Sequence, residues 1–474
     1  PLSLVWDAMA DDMYVGGGNT SDQSQIHLIS QYKSDPRNNI DGAWTTSYSG
    51  INRSIRLIDN AKDSDLSDDK KALFIAEGRA MRAWYYLVLW KTWGNIPFYE
   101  ENLTSLPYLA DQLTVDQVYE KVVVDLESVL DSEVLPMKQP DEWAGRMTQA
   151  AASMIYADYV MYQKDQSRYG KALGYMKAII NSHKYDLVKN YNDLYALDKE
   201  WNEEIIFDVN YIAKGGKRTW GDANFTGGTV YPEMIGIDGL TIKCAEGHTP
   251  EFTSGWGFGS VSKEVYDAFE DNDRRRDVAI LNLDKYARAK FAEGDTVTYG
   301  GRYQNTGYFL RKYLPRPGDT EGSVGDAGLN HDENLHLYRY AETLLNAAEL
   351  ALATGDGLAQ DYFDLVRERA GVASIPVTVD NIINERRLEF VGEGKRYFDL
   401  VRSGKAATVL KAGAGVVLRT KRTYNFDKNQ WEGENTWGGQ AIPERVDWTE
   451  NKKYIPIPQS EIEAAQGSIT QNPY

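Results

Sequence analysis

Glu385-Arg386-Arg387-Leu388-Glu389-Phe390-Val391-Gly392-Glu393-Gly394-Lys395-Arg396-Tyr397-Phe398-Asp399-Leu400-Val401-Arg402-Ser403-Gly404 is the stretch that decides how this chain is read. Charged residues of both signs alternate with aromatic and aliphatic ones at helical spacing. Glu385 and Glu389 lie one helical turn apart on one face, and Arg386 and Arg387 carry guanidinium forks that suit carboxylates. Gly392 and Gly394 interrupt the pattern, and Gly404 ends it. The expected structure is an ion-pair network that locks two consecutive helices together, a scaffold feature and not a centre of chemistry.

Helical periodicity extends outward from that stretch in both directions. Trp44, Tyr48, Ile51, Ile55 and Ile58 recur at helical intervals. A second helix is expected from Asp68 and Asp69, which favour a positive helix start, through Trp84 and Leu87 to a stop at Gly94 and Pro97. Further helices are expected at Val115–Leu130, Thr148–Gln163, Tyr169–Ser182, Leu335–Ala353, Gln360–Ala370 and Val379–Val391. Small residues at the crossings (Ala150, Ala151, Ala152, Ala157) suggest tetratricopeptide-like hairpins, although the full repeat consensus is absent. Trp44 and Trp84 read as helix-packing residues.

Residues 201–330 have a different texture. They hold 19 of the 41 glycines, grouped as Gly227-Gly228, Gly255-Trp256-Gly257-Phe258-Gly259 and Gly300-Gly301, which mark turns and loops. A short helix is expected at Lys263–Asp271. Long loops on a rigid base are where binding sites usually lie. A second loop-rich stretch, about 411–474, carries Trp431, Trp437 and Trp448, and Tyr454-Ile455-Pro456-Ile457-Pro458 within it must be extended. The expected organisation is a single domain. Its helical scaffold spans about 1–200 and 331–410, with a loop-rich insert at about 201–330.

Composition excludes several functions. The net charge of −18 argues against a nucleic-acid partner, which requires clustered Lys and Arg. With one cysteine, Cys244, no intrachain disulfide can form. No apolar run approaches the length of a membrane span. Neither Gly-x-Ser-x-Gly nor Gly-x4-Gly-Lys-Ser/Thr occurs, and Gly255-x-Gly257-x-Gly259 lacks the spacing of a dinucleotide site. His331 and His336 are five apart, so on a helix they would not share a face to hold a metal. Asp271 and Asp273 could contribute to a structural calcium site, but the regular calcium-loop pattern is missing. No other cofactor is expected, and no carboxylate pair stands out as the acid and base of a glycosidase.

The 31 Tyr, 12 Trp and 13 Phe offer flat apolar faces with polar edges. Such side chains suit interfaces and ligand platforms, where ring stacking supplies contact area and polar side chains fix orientation. The candidate ligand-binding residues are the loop aromatics Trp220, Tyr231, Trp256 and Tyr308. Trp93 and Asn95 at a helix-ending turn join them. Arg82 can reach the same turn, with a buried ion pair to a nearby Glu as its competing role.

Three strings, taken together, resemble the SusD/RagB family of outer-membrane nutrient-binding lipoproteins. They are Ala76-Glu77-Gly78-Arg79-Ala80-Met81-Arg82-Ala83-Trp84-Tyr85-Tyr86 leading to Trp93-Gly94-Asn95-Ile96-Pro97-Phe98; Glu385–Gly404, preceded by Arg339-Tyr340-Ala341-Glu342 and Arg367-Glu368-Arg369-Ala370-Gly371; and Tyr454-Ile455-Pro456-Ile457-Pro458-Gln459, closed by Gln471-Asn472-Pro473-Tyr474. Gly78 and Gly392 depart from the family pattern. The resemblance implies a mostly α fold of four tetratricopeptide-like units in a right-handed superhelical scaffold, with few short strands. It also implies oligosaccharide or polysaccharide as ligand and a SusC-like TonB-dependent transporter as partner. A lipid anchor upstream of Pro1 would hold the protein at the outer-membrane surface. The expected function is glycan capture without catalysis. The alternatives are a helical glycoside hydrolase and a peptide-capturing member of the same family.

Overall fold

The computed structural model describes residues 2–222, 226–244, 250–292, 294–413, 415–420, 422–433 and 435–474. Helices dominate it: α1 (Asp41–Asp63), α2 (Asp68–Trp93), α3 (Val115–Asp131), α4 (Gln149–Gln163), α5 (Tyr169–Asn181), α6 (Tyr340–Thr354), α7 (Ala359–Ala370), α8 (Val379–Glu389), α9 (Arg396–Arg402) and α10 (Gln459–Ala464). Local chemistry sets their ends. Thr114 caps α3 in a reciprocal capping box with Gln117, and the Thr148 hydroxyl accepts from Ala151 at the start of α4. α1 packs along α2, α3 on α4, and α6 on both α5 and α7. One apolar cluster runs through these helices and includes Leu4 near one end of the chain and Ile469 near the other.

The signature stretch forms α8, a turn and α9. Gly392 and Gly394 have φ of +78° and +71°, the left-handed region that favours glycine. A Cβ on Gly392 would stand 2.3 Å from Leu310 Cδ1. Gly78 is constrained by packing alone, since its Cβ would approach Ile58 Cγ1 to 2.8 Å where α1 meets α2. Close packing therefore accounts for both departures from the family pattern.

The expected ion-pair network is present. Arg339 is buried and donates to Glu204, Glu389 and Glu393 at 2.6–2.9 Å. Arg275 and Arg369 also reach Glu389, at 2.9 and 2.6 Å. Arg386 bridges Glu342 and Asp399 at 2.9 Å. The N-terminal segment is clamped onto the same stretch through Asp12 with Arg387 and Asp11 with Arg396.

Two expectations about secondary structure need correction. Leu335–Arg339 is a strand and not the first turn of a helix; it pairs antiparallel with Ile205–Val209, and α6 begins only at Tyr340. That pair ties the two ends of the loop-rich insert together. The segment after α9 also holds more regular structure than expected. Arg422–Asn425 pairs with Gln430–Glu432 and with Thr296–Tyr299 of the insert, which in turn pairs with Thr241–Lys243. Val416–Thr420 pairs with Asn435–Gln440. Trp431 packs edge-on against Tyr299 and Tyr424, and Trp448 donates its Nε1 proton to the Tyr397 hydroxyl at 3.0 Å. The Trp437 side chain lies outside the described residues.

Candidate ligand-binding site

Among the described residues of the insert, one large aromatic ring is far more exposed than the others. Trp220 is 69% exposed, and its backbone N–H donates to Asp326 Oδ2 at 2.8 Å. Neighbouring chain segments hold its loop. Gly325 donates to the Gly216 carbonyl and Asp326 to the Arg218 carbonyl, both at 2.9 Å. Asn330 Nδ2 bonds the carbonyls of Arg218 and Asp326 at 2.9 and 2.8 Å.

Trp256 lies beside it, with ring centroids 5.5 Å apart and planes inclined at 36°. Half-buried and packed on the main core, Trp256 braces Trp220 from one side. Its own loop is sewn down by backbone bonds from Trp256 to Glu233, Gly257 to Gly236 and Phe258 to Met234. The glycines here have a structural reason. A Cβ on Gly255 would lie 2.5 Å from the Glu233 carbonyl oxygen, and Gly257 has φ +73° with Arg302 Cγ 2.6 Å from its Cβ position.

Polar groups border the Trp256 loop. Arg302 Nη2 contacts Asp238 Oδ1 at 2.8 Å, and the Gly18 N–H donates to Asp22 Oδ2 at 2.8 Å. Gly17 donates to the Gly257 carbonyl at 3.0 Å, which lays residues 16–18 against the Trp256 loop. The arrangement is an aromatic face with a half-exposed guanidinium–carboxylate pair nearby. It can offer ring stacking and directional hydrogen bonds.

The other sequence candidates lie elsewhere or point inward. Trp93 is 0% exposed, edge-on to Trp44 at 5.3 Å, because Tyr454 packs against the adjoining Gly94 and the Asn472 amide donates to the Trp93 carbonyl. Asn95 Oδ1 accepts from Val115 N at 2.9 Å, at the start of α3. Arg82 pairs with Asp125 at 3.0 Å, not with a Glu side chain, and donates to the Glu100 carbonyl at 3.1 Å. It lines a groove of about 1020 Å³ between α1, α2 and α3. Tyr231 is fully buried against Tyr313 at 5.5 Å. Tyr308 is half-buried and packs on Tyr266 at 4.9 Å. Trp93 and Tyr231 thus have no ring face left for a ligand. Asp22, Asp238 and Arg302 were not singled out from the sequence. The run Gly16-Gly17-Gly18-Asn19 was the one local sign that the N-terminal segment approaches another backbone.

The remaining motif residues have internal partners. Asp273 gives both carboxylate oxygens to Arg275, at 3.0 and 2.7 Å. His331 lies 3.2 Å from Glu233, and His336 lies 3.0 Å from Asp208. Among the described residues no His, Cys, Asp and Glu cluster suits a metal ion, and no helix is long and apolar enough to cross a membrane.

Comparison with known proteins places this architecture. Residues 203–474 match the model of the SusD family, and residues 5–158 match a model described as starch-binding associating with outer membrane. The chain belongs to the SusD family. Surface glycan-binding protein A from Bacteroides thetaiotaomicron, solved in complex with laminarihexaose, is 40% identical with a TM-score of 0.86; the match covers 100% of this chain and 94% of that one. A laminarin-binding SusD-like protein is 29% identical with a TM-score of 0.83, covering 99% and 94%. The starch-binding protein SusD of Bacteroides thetaiotaomicron is 26% identical over 371 residues, 70% of this chain and 63% of that protein. These relatives are named for what they bind and not for a reaction.

Proposed function

We propose that this protein captures gluco-oligosaccharides of the laminarin type at the outer-membrane surface and passes them, uncleaved, to a TonB-dependent transporter. One observation carries the reading: Trp220 is held open on a braced loop, with Trp256 behind it. Two adjacent indoles on braced loops present a flat apolar face with polar edges, and a pyranose face is a suitable partner. Arg302, Asp238 and Asp22 supply the hydrogen-bonding edge. The choice of glucan rests on the relatives solved with laminarihexaose and named for laminarin. The outer-membrane setting rests on the description of the family model. Lipid anchoring and the transporter follow from the family resemblance.

Calorimetry with laminarihexaose, beside maltohexaose, cellohexaose and a peptide pool, tests the proposal. Trp220→Ala is expected to weaken laminarihexaose binding by at least ~10-fold, or about 1.4 kcal/mol. Equal affinity in Trp220→Ala and Trp256→Ala would discard the site. Reducing ends released by purified protein would replace capture with hydrolysis. Failure of a transporter to copurify from outer membranes would remove the delivery step alone.

A further inference from the structure

A second cavity, of about 440 Å³, opens between α1, residues 97–109 and α10. It shares no residue with the Trp220 pair. Three aromatic side chains line it at steep angles. Trp44 and Tyr48 have centroids 4.9 Å apart and planes at 52°, and Tyr48 and Tyr99 are 5.9 Å apart at 77°. The Tyr48 and Tyr99 hydroxyls donate to the carbonyls of Pro97 and Tyr108, at 2.8 and 3.3 Å. Their oxygens are therefore left as acceptors. Asn52 Nδ2 likewise donates to Asn102 Oδ1 at 2.6 Å.

The charge of this cavity is one-sided. Glu461 is the only carboxylate among the described lining residues, and no Lys, Arg or His is among them. No cationic side chain among the described residues lies within 4.0 Å of the Glu461 carboxylate. Burial chiefly raises the pKa of Tyr48 and Tyr99, and the negative charge of Glu461 adds to the effect at both. The carboxylate lines the same cavity as both rings. Ring faces and one unpaired carboxylate make a site for a positively charged donor. Aromatic faces attract organic cations through their quadrupoles, and an ammonium ion has protons to give and none to receive.

We propose that this cavity binds an organic ammonium ion on a small body, such as the protonated amine of an amino sugar, between Tyr48, Tyr99 and Glu461. A site of this kind would let the helical body hold a ligand independently of the loop-borne Trp pair.

Calorimetry at a pH where the amine is protonated compares glucosamine, N-acetylglucosamine and glucose, which differ chiefly at one substituent. Glucosamine is expected to bind saturably, and the two neutral sugars at least ~10-fold more weakly. Tetramethylammonium should compete with it. Glu461→Gln should weaken glucosamine binding at least ~10-fold while leaving laminarihexaose binding and the melting temperature unchanged. Trp220→Ala should leave glucosamine binding intact. Absence of saturable glucosamine binding, equal binding of glucose, or unchanged affinity in Glu461→Gln would overturn the assignment, whatever the outcome at the Trp220 site.

Discussion

The helical body and the loop-rich insert treat the same residue types in opposite ways. In the body, Trp93 is sealed against Trp44, whereas in the insert Trp220 is held open. The carboxylates differ as well. Burial would raise the pKa of Glu389 and Glu393, but the cations Arg339, Arg369, Arg275 and Lys312 outweigh it and hold both well below the usual range, with Glu393 at about 2. At the base of the insert, Glu333 is also buried, yet its closest cation is Arg316 at 4.0 Å. Burial and the neighbouring Asp319, Glu200 and Asp332 push it up. Glu200 is raised to about 7 by burial and by Asp332. Cations saturate the buried acids around Glu389 and Glu393, and the base of the insert leaves its acids short of them. The first arrangement fixes a geometry; the second leaves Glu200 able to change protonation near neutral pH.

Breaking the body should have the largest effect. Arg339→Met removes the donor shared by Glu204, Glu389 and Glu393 and leaves buried negative charge uncompensated. Loss of one partner from such a network typically costs about 3–5 kcal/mol, and urea unfolding followed by circular dichroism should show a loss of that order. A loss below 1 kcal/mol would mean that the remaining arginines take over, and the contrast between body and insert would weaken.

Acid should act on the same network. The Glu393 pKa is lowered from 4.5 to about 2 in the folded protein. Its contribution to stability is therefore complete above pH 4.5 and disappears as pH falls through about 2. The linked loss is on the order of 3 kcal/mol. Melting temperature measured between pH 5 and pH 2 should fall steadily, and Glu393→Gln should flatten that slope at the expense of stability at neutral pH.

The insert should show the reverse pattern: small effects on stability and large ones on ligand. Trp220→Ala removes a ring that is already 69% exposed, so unfolding free energy should move by no more than ~0.5 kcal/mol. Laminarihexaose affinity should fall by at least ~10-fold. Equal loss of stability and affinity would make Trp220 a packing residue and erase the difference between the two regions.

How legible these regions were follows from the range of the signals involved. The helices of the body announce themselves within a few residues through period, caps and glycine stops. The signature stretch also states its own ion pairs, because its charges and their spacing are local. The strand Leu335–Arg339 was missed because its alternation runs without a break into the α6 pattern. The pairing of Thr296–Tyr299 with Arg422–Asn425 joins segments more than 120 residues apart and leaves no local trace. The same limit separates the aromatic candidates. Trp220 and Trp256 could be read as loop residues from the glycines around them. What covers Trp93 comes from Tyr454 and Asn472, and no local pattern at Gly94 could reveal it.

The subtlest test concerns Glu200. Its carboxyl accepts from the Asn334 N–H at 3.3 Å, next to the strand pair that closes the insert. With a folded pKa of about 7 against an ordinary 4.5, the native state binds a proton more readily than the unfolded chain. Stability contributed by this group is therefore greatest below pH 4.5 and is lost as pH rises through 7, opposite in sign to Glu393. The side chain is partly solvated, so the effect is on the order of 1 kcal/mol after screening. Hydrogen exchange at Ile205–Val209 should quicken between pH 5 and pH 8 beyond the intrinsic base-catalysed rate, and Glu200→Gln should remove the excess. An excess that persists in Glu200→Gln would assign the proton to Glu333 or Asp319, and no excess at all would show that acids at the base of the insert are held as firmly as those of the body.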